Sequence, residues 1–250
     1  MKPVIVIPSY WGRESTEPFN PKDDVYDHPT PLNEKGTLER ALDSFSILKD
    51  RDFRVVIIGI ATHPSLYKKC ESKLSKIIKK FQKSLEVYLF SYSELEKAKQ
   101  YFSQISKGEL LPLLSLKGYS NVRNMCLLSL LFLGSELLIL FDDDEIMVDS
   151  DYISKAEEDI CEEVNGKKVL GKAGYYLRPE GDFYKIPETE DPVEAEWGCI
   201  KAMNKAFQII SREPRLKPTP FAFGGNMVVQ KELASKVAFD PFVTRGEDID

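Results

Sequence analysis

The stretch ELLILFDDDE, residues 136–145, gives the clearest indication of the fold class. Its apolar run, Leu137–Phe141, is followed at once by three aspartates and a glutamate. An apolar run of this length without alternation is typical of a strand buried on both faces of a parallel sheet. Ligands bind such sheets at the carboxyl ends of the strands, so these carboxylates are predicted to line the mouth of a crevice.

Strands and helices alternate along the chain on the N-terminal side of this stretch. The predicted strands cover residues 3–8 (PVIVIP), 54–60 (RVVIIGI) and 85–90. The predicted helices cover residues 37–49, 64–83, 92–106 and 121–133. This order predicts an α/β fold with an open, mostly parallel sheet that helices cover on both faces.

The alternation of strands and helices becomes less regular after residue 145. We predict a helix over 150–164, a strand over 168–177, a helix over 197–211 and a strand over 221–230 that a glycine pair interrupts. A loop over residues 11–36 is rich in Pro, Asp and Asn, and loops of this length are often functional. We expect a single domain over residues 1–250.

Composition narrows the classes of function. The net charge of −6 argues against a nucleic-acid partner, which requires clustered Lys and Arg. The basic stretch 68–83 is interpreted as the solvated face of an amphipathic helix. Four separated cysteines and no signal peptide favour a cytoplasmic protein, in solution or peripheral at a membrane. The longest apolar run, residues 125–133, is too short to span a bilayer.

The acidic triplet predicts a metal site. Adjacent carboxylates repel one another and are costly to desolvate, and a divalent cation removes that cost. Oxygen ligands favour Mg²⁺ or Mn²⁺ over zinc, and such a cation can bridge the phosphates of a nucleotide. In an extended segment Asp142 and Asp144 point to one side and Asp143 to the other. The alternative is an acidic turn that caps a helix at Ser150.

Other candidate residues lie at predicted strand ends or helix starts. The first strand ends at Pro8, Ser9 and Tyr10, and the last one contains Gly224, Gly225 and Asn226. Arg123 and Asn124 open the helix that leads to the acidic strand. Arginine can clamp a phosphate through paired donors, or it can pair with a surface carboxylate. The glycines permit close backbone approach to a ligand, or they form a plain β-bulge.

At this point the chain resembles the GT-A glycosyltransferases, especially the broad family 2-like group. VIVIPSY (4–10) resembles the first strand of that fold, and TLERALDSF (37–45) with RVVIIG (54–59) resembles its first helix and second strand. The segment YSNVRNMCL (119–127) is similar to the Ala-Arg-Asn segment that packs beside the donor. ELLILFDDDE, FGGNMVV (223–229) and RGEDID (245–250) resemble the Asp-x-Asp element, the acceptor-side strand and the Glu-Asp element.

The resemblance implies a sugar transfer from a nucleotide-sugar, with UDP or GDP favoured, to the hydroxyl group of a saccharide, lipid or small molecule. Residues 1–145 would bind the nucleotide beside a mostly parallel sheet. Residues 146–250 would bind the acceptor, with a smaller mixed sheet. The first strand's end, Arg123, Asn124, Asp142 and Asp143 would contact the donor, and Asp142 and Asp144 would hold Mn²⁺ or Mg²⁺.

The resemblance also places a catalytic base near the C-terminus. Transfer with inversion needs a base opposite the leaving group, and Asp248 is the candidate, with Glu247 on the acceptor. Gly224, Gly225 and Asn226 would line the acceptor side. In many members an acidic residue after the second strand recognises the nucleobase. GIATHP (59–64) contains no such residue, so the resemblance does not identify the nucleobase of the donor.

Two alternatives remain at this point. One is a sugar-phosphate nucleotidyltransferase, although its usual glycine-rich first loop is reduced here to one glycine in PSYWGRES (8–15). The other is a catalytically inactive GT-A-like domain that binds a carbohydrate or a partner.

Overall fold

A mostly parallel sheet runs through the centre of the molecule. The computed structural model describes residues 2–18, 20–105, 108, 111–185, 198–243 and 246. The strands of the main sheet are β1 (Val4–Gly12), β2 (Thr30–Pro31), β3 (Arg54–Ala61), β4 (Val87–Phe90), β5 (Leu137–Phe141), β8 (Gly171–Ala173) and β9 (Asn226–Gln230). Their order is β4-β3-β1-β5-β9-β8, and β2 pairs with the end of β1.

The first five strands are parallel, whereas β9 runs antiparallel to both β5 and β8. The predicted α/β class with a mostly parallel central sheet is therefore confirmed. A second, smaller sheet is the antiparallel pair β6 (Glu163–Val164) and β7 (Lys167–Lys168).

Helices connect and cover the strands. They are α1 (Leu38–Ser44), α2 (Tyr67–Phe81), α3 (Tyr92–Ile105), α4 (Tyr119–Phe132), α5 (Tyr152–Glu157), α6 (Cys199–Phe207) and α7 (Lys231–Ala234). Short 3-10 turns extend α1 at its end and precede α2 and α4. Among the described residues, no helix combines the length and the apolar character needed to cross a bilayer.

The core consists of two apolar layers, one on each face of the sheet. Alternate residues of β1 point to opposite faces, so Ile5 and Ile7 join one layer and Val4 and Val6 the other. The first layer includes the buried sides of α1 and α2, and the second includes the buried side of α4. This burial explains why the strands read as continuous apolar runs.

Several predicted boundaries differ from the structure. β1 continues to Gly12 because Trp11 and Gly12 pair with the short strand β2. The helix predicted over 150–164 is only α5, because Asp159, Cys161 and Asn165 have positive φ angles that end helical geometry. The strand predicted over 221–230 is β9 alone, and within the one predicted over 168–177 only Lys168, in β7, and the residues of β8 are in strands.

Candidate active site

Three strands bring the acidic triplet together with residues from distant parts of the chain. Because β5 lies between β1 and β9, the end of β5 is flanked by Ser9 on one side and by Gly225 on the other. The extended segment ends at Asp142, and the N–H of Glu145 donates to the carbonyl of Asp142 at 3.3 Å to close a turn. Strand alternation therefore stops at Asp142 and does not set the direction of Asp144.

Asp143 faces β1. The Ser9 hydroxyl donates to its Oδ2 at 2.5 Å, and the indole Nε1 of the buried Trp11 donates to the Ser9 oxygen at 3.0 Å. Burial raises the pKa of Asp143 to about 7, and the neighbouring carboxylates of Asp142 and Asp144 contribute, while the Ser9 hydrogen bond opposes the rise. Ser9 thus orients a carboxyl group whose ionisation is unfavourable in the folded protein.

Asp142 faces α4 and the β9 side. Its Oδ1 lies 3.3 Å from Nη2 of Arg123, whose side chain is only 9% exposed. The hydroxyl of Tyr176 lies 3.5 Å from Oδ2 of Asp142 and accepts the N–H of Gly225 at 2.7 Å. The positive charge of this buried guanidinium partly offsets the negative charge of the carboxylates at the end of β5.

Gly225 is at this position because the backbone passes against the acidic triplet. A Cβ atom added to Gly225 would lie 2.3 Å from Oδ2 of Asp142 and 2.7 Å from the hydroxyl of Tyr176. Any larger residue would have to displace one of these two groups. The backbone thus approaches a protein carboxylate closely, and the predicted approach to a ligand stays a prediction.

Asp144 and Glu145 complete the acidic end of β5. Partial desolvation raises the pKa of Asp144, which is otherwise the exposed member of the triplet, and Asp142 adds to the rise. Desolvation also raises the pKa of Glu145 to about 7, with Asp144 and Asp142 contributing. Arg40 donates to the carbonyl of Asp144 at 2.6 Å and opposes both rises.

Comparison with solved structures identifies the architecture. A mannosyltransferase from Pyrobaculum calidifontis, solved in complex with GDP-Man and Mn²⁺, is similar over 99% of this chain, with a TM-score of 0.50 and 14% sequence identity. The chain has the GT-A fold. It spans 49% of the length of that mannosyltransferase. No family model and no curated protein matches the sequence.

Two other solved structures are similar at lower scores. Glucosyl-3-phosphoglycerate synthase from Mycobacterium tuberculosis, solved with UDP, has a TM-score of 0.43 and 14% identity over 99% of this chain and 62% of its own. Mannosyl-3-phosphoglycerate synthase from Rubrobacter xylanophilus has a TM-score of 0.39 and 16% identity over 92% of this chain and 54% of its own.

The two predicted asparagines are engaged with other parts of this GT-A fold. Asn124 donates its amide N–H to the carbonyl of Phe239 and accepts the N–H of the same residue, both at 2.8 Å. Asn226 accepts the hydroxyl of Tyr152 at 2.6 Å and donates to the carbonyl of Tyr175 at 3.0 Å. Both side chains therefore join separate segments of the chain, and their predicted contacts with a donor or an acceptor stay predictions.

Tyr10 belongs to a group of three tyrosines beside the end of β1. Its ring centroid lies 4.6 Å from that of Tyr26 and 5.6 Å from that of Tyr119. Its hydroxyl is buried without a hydrogen-bond partner among the described residues, and burial raises its pKa. Pro8 precedes it within the same strand, where it pairs with Ile58 of β3.

The candidate base and its neighbour, Asp248 and Glu247, lie outside the described residues and stay predictions. The described chain immediately before them is attached to α4. The hydroxyl of Ser120 donates to the carbonyl of Val243 at 2.7 Å, and Asn124 holds Phe239. This attachment is made by the same helix that carries the guanidinium beside the acidic triplet.

Glu145 belongs to the acidic run that was predicted to line the crevice, and the structure brings it close to Asp142 and Asp144. Tyr176 was not among the predicted site residues. Tyr176 lies 34 positions from Asp142, inside a segment predicted to be a strand, and its sequence context carries no sign of this contact. Gly224 is buried next to Gly225, at the start of the segment that leads into β9.

The residues present suit a cation that has only oxygen ligands. Carboxylates whose pKa values are raised by desolvation and mutual repulsion gain most from a nearby positive charge. Within the described chain, no three His, Cys, Asp or Glu side chains form a group that could hold a metal ion on its own. Mg²⁺ needs only one or two protein carboxylates, because waters and substrate phosphates complete its shell.

Proposed function

We propose that this protein is a metal-dependent glycosyltransferase that moves a sugar from a nucleoside-diphosphate sugar to an acceptor hydroxyl. The observation that carries the proposal is the crowded acidic end of β5, between Ser9 and Gly225, within a GT-A fold. The similar mannosyltransferase was solved with GDP-Man and Mn²⁺. That complex supports a guanosine donor and Mn²⁺, with uridine and Mg²⁺ as the other candidates.

In this proposal Asp142 and Asp144 hold the cation. When bound, the cation would stabilise the negative charge that develops on the departing diphosphate. Arg123 orients Asp142, since its guanidinium lies 3.3 Å from Oδ1. Asp143, held by Ser9, adds negative charge behind the two ligands and contributes to the donor site.

The donor would lie along the end of β1, against Pro8, Ser9 and Tyr10. A nucleobase can stack on an aromatic ring, and the partly buried Tyr10 is the candidate. The acceptor would lie on the opposite side of the triplet, beside Gly224, Gly225 and Asn226. The proton of its hydroxyl would pass to Asp248 as general base, with Glu247 binding the acceptor.

Calorimetric titration of GDP and UDP, each with and without Mn²⁺, tests the donor site. We expect one nucleotide to bind only when the cation is present. Asp144→Ala is expected to abolish this binding, because it removes a metal ligand. The control is Asp43→Ala, which removes an exposed carboxylate from α1 and leaves the site intact. Equally tight binding by Asp144→Ala without metal would refute the assignment.

Transfer itself is tested with Asp248→Ala. This variant is expected to bind the nucleotide with Mn²⁺ as the parent does and to lose sugar transfer. If the parent releases pyrophosphate from a nucleoside triphosphate and a sugar phosphate, the protein is instead a nucleotidyltransferase. If it hydrolyses no nucleotide-sugar in a panel with Mn²⁺, the inactive binding domain is favoured.

A further inference from the structure

An open groove of about 400 Å³, called the lysine cavity below, lies between the first half of α2 and the segment that follows β1. Four lysines line it, Lys68, Lys69, Lys73 and Lys76, together with the hydroxyl-bearing Ser72 and one carboxylate, Glu14. The volume lies within the range of small-molecule sites, which runs from about 300 to 1,000 Å³. The lining of this cavity thus carries four potential ammonium groups and a single acid.

Helix periodicity explains why the lysines face the same way. The buried side of α2 is apolar and packs on the sheet, and it consists of Cys70, Leu74, Ile77, Ile78 and Phe81. Lysines in between those positions must point away from the core, towards the segment that contains Glu14. A row of lysines on a solvated helix face is common. When the same lysines line a groove, they concentrate positive potential there, although the net charge of the chain is −6.

The charge in this cavity is only partly neutralised. Lys69 lies 3.5 Å from Glu14, and Lys73 donates to the carbonyl of Glu34 at 2.8 Å. Neither Lys68 nor Lys76 has a carboxylate within ion-pair distance in the part of the chain that the structure describes. The cavity therefore keeps at least two ammonium groups available to an anion.

The cavity is separate from the acidic crevice. The ammonium of Lys73 lies 5.5 Å from the centre of the Trp11 ring, and Nε1 of the same buried indole donates to Ser9, the partner of Asp143. Trp11 thus lies next to a lysine of the cavity and to the serine that contacts the acidic triplet. The opposite charges of the crevice and the cavity suit opposite ligands, a cation in the crevice and an anion in the cavity.

We propose that this lysine cavity is a binding site for a phosphate-bearing anion, distinct from the donor site. Lysine ammonium groups bind phosphate as point charges with three donors each, and Ser72 adds a hydroxyl donor. The proposal does not rest on the proposed transferase activity. The phosphate can belong to a soluble ligand or to a lipid headgroup, because both present the same group to the lysines.

Two probes separate these sources. Inorganic pyrophosphate is titrated calorimetrically in EDTA, so that no divalent cation links it to the carboxylates. Sedimentation is measured with vesicles of equal parts phosphatidylcholine and phosphatidic acid. Binding of pyrophosphate supports a soluble ligand, and binding to the vesicles alone supports a headgroup. Absence of both overturns the proposal.

Variants locate the binding. Lys68→Gln with Lys76→Gln is expected to weaken it at least tenfold, since each lysine near an anionic surface contributes about fivefold. The matched control, Lys83→Gln with Lys167→Gln, makes the same charge change at exposed positions outside the cavity. Equal losses in the two double variants would show a general charge effect and refute the site.

A variant that binds more tightly gives a stronger test, because unfolding of a variant can only weaken binding. Glu14→Gln removes the acid from the cavity and frees Lys69, so it is expected to tighten pyrophosphate or vesicle binding about fivefold. Asp144→Ala is expected to leave this binding unchanged, which distinguishes it from nucleotide binding in the crevice. Unchanged or weaker binding in Glu14→Gln would contradict the assignment.

Discussion

Replacing Asp143 by asparagine is expected to stabilise the protein, and by more at pH 8 than at pH 5. The amide is nearly isosteric with the protonated carboxyl group, and its oxygen can still accept the Ser9 hydroxyl. The variant therefore keeps the geometry at the end of β5 and removes only the ionisation.

The sign and the size follow from the pKa of this group. The carboxyl of Asp143 ionises near 3.8 in the unfolded chain and at about 7 in the folded protein. Between these values the unfolded state has lost a proton that the folded state retains, so stability falls as the pH rises. From pH 5 to pH 8 the parent is expected to lose about 3 kcal/mol relative to the variant, at about 1.4 kcal/mol per pH unit below the folded pKa.

Urea denaturation followed by circular dichroism at pH 5 and pH 8, in EDTA, measures this difference. Glu145 titrates in both proteins and cancels from the comparison. The control is Asp43→Asn, which removes an exposed carboxylate on α1. If the free energies of unfolding of Asp143→Asn and the parent differ by the same amount at pH 5 and pH 8, the claim that burial makes ionisation of this carboxyl unfavourable is refuted.

Three further substitutions probe the supports of the triplet. Gly225→Ala is expected to cost 1–3 kcal/mol, the usual range for an overpacked site, and to abolish Mn²⁺-dependent nucleotide binding, because the new Cβ displaces Asp142. Gly12→Ala is its control in both denaturation and titration, since a Cβ there meets only ordinary contacts at 3.5 Å or more. Tyr176→Phe is expected to lower stability by about 1 kcal/mol and weaken metal binding, measured by calorimetry, because the N–H of Gly225 loses its acceptor. Ser9→Ala is expected to cost about 1 kcal/mol, with a larger loss at pH 8 than at pH 5, because the middle carboxylate loses its donor; a pH-independent loss would contradict this.

Much of the fold was predictable because the strands are buried on both faces. Apolar runs such as those of β1, β3 and β5 indicate central strands, and the helices between them indicate parallel order. The second half was less predictable. The helix beginning near Ser150 ends early through positive φ angles at non-glycine residues, and no simple pattern announces such a conformation.

The candidate site was predictable in its position and less so in its contacts. The end of an apolar strand places a carboxylate run at the ligand-binding edge of a parallel sheet. Asn124 was predicted to lie beside a donor, yet both of its amide atoms pair with the backbone of Phe239. An asparagine suits a polar ligand and an irregular backbone equally well, so residue type alone cannot distinguish these uses.

The alternation of buried strands with helices, and the dense group of acids that ends one strand, could be predicted from the amino-acid sequence because both properties are local. The groups that surround those acids became known from the folded chain. Ser9 and Asp143 are 134 positions apart, and Tyr176 and Asp142 are 34 apart. Their contacts depend on strand order and on the close passage of Gly225, which are properties of the assembled sheet.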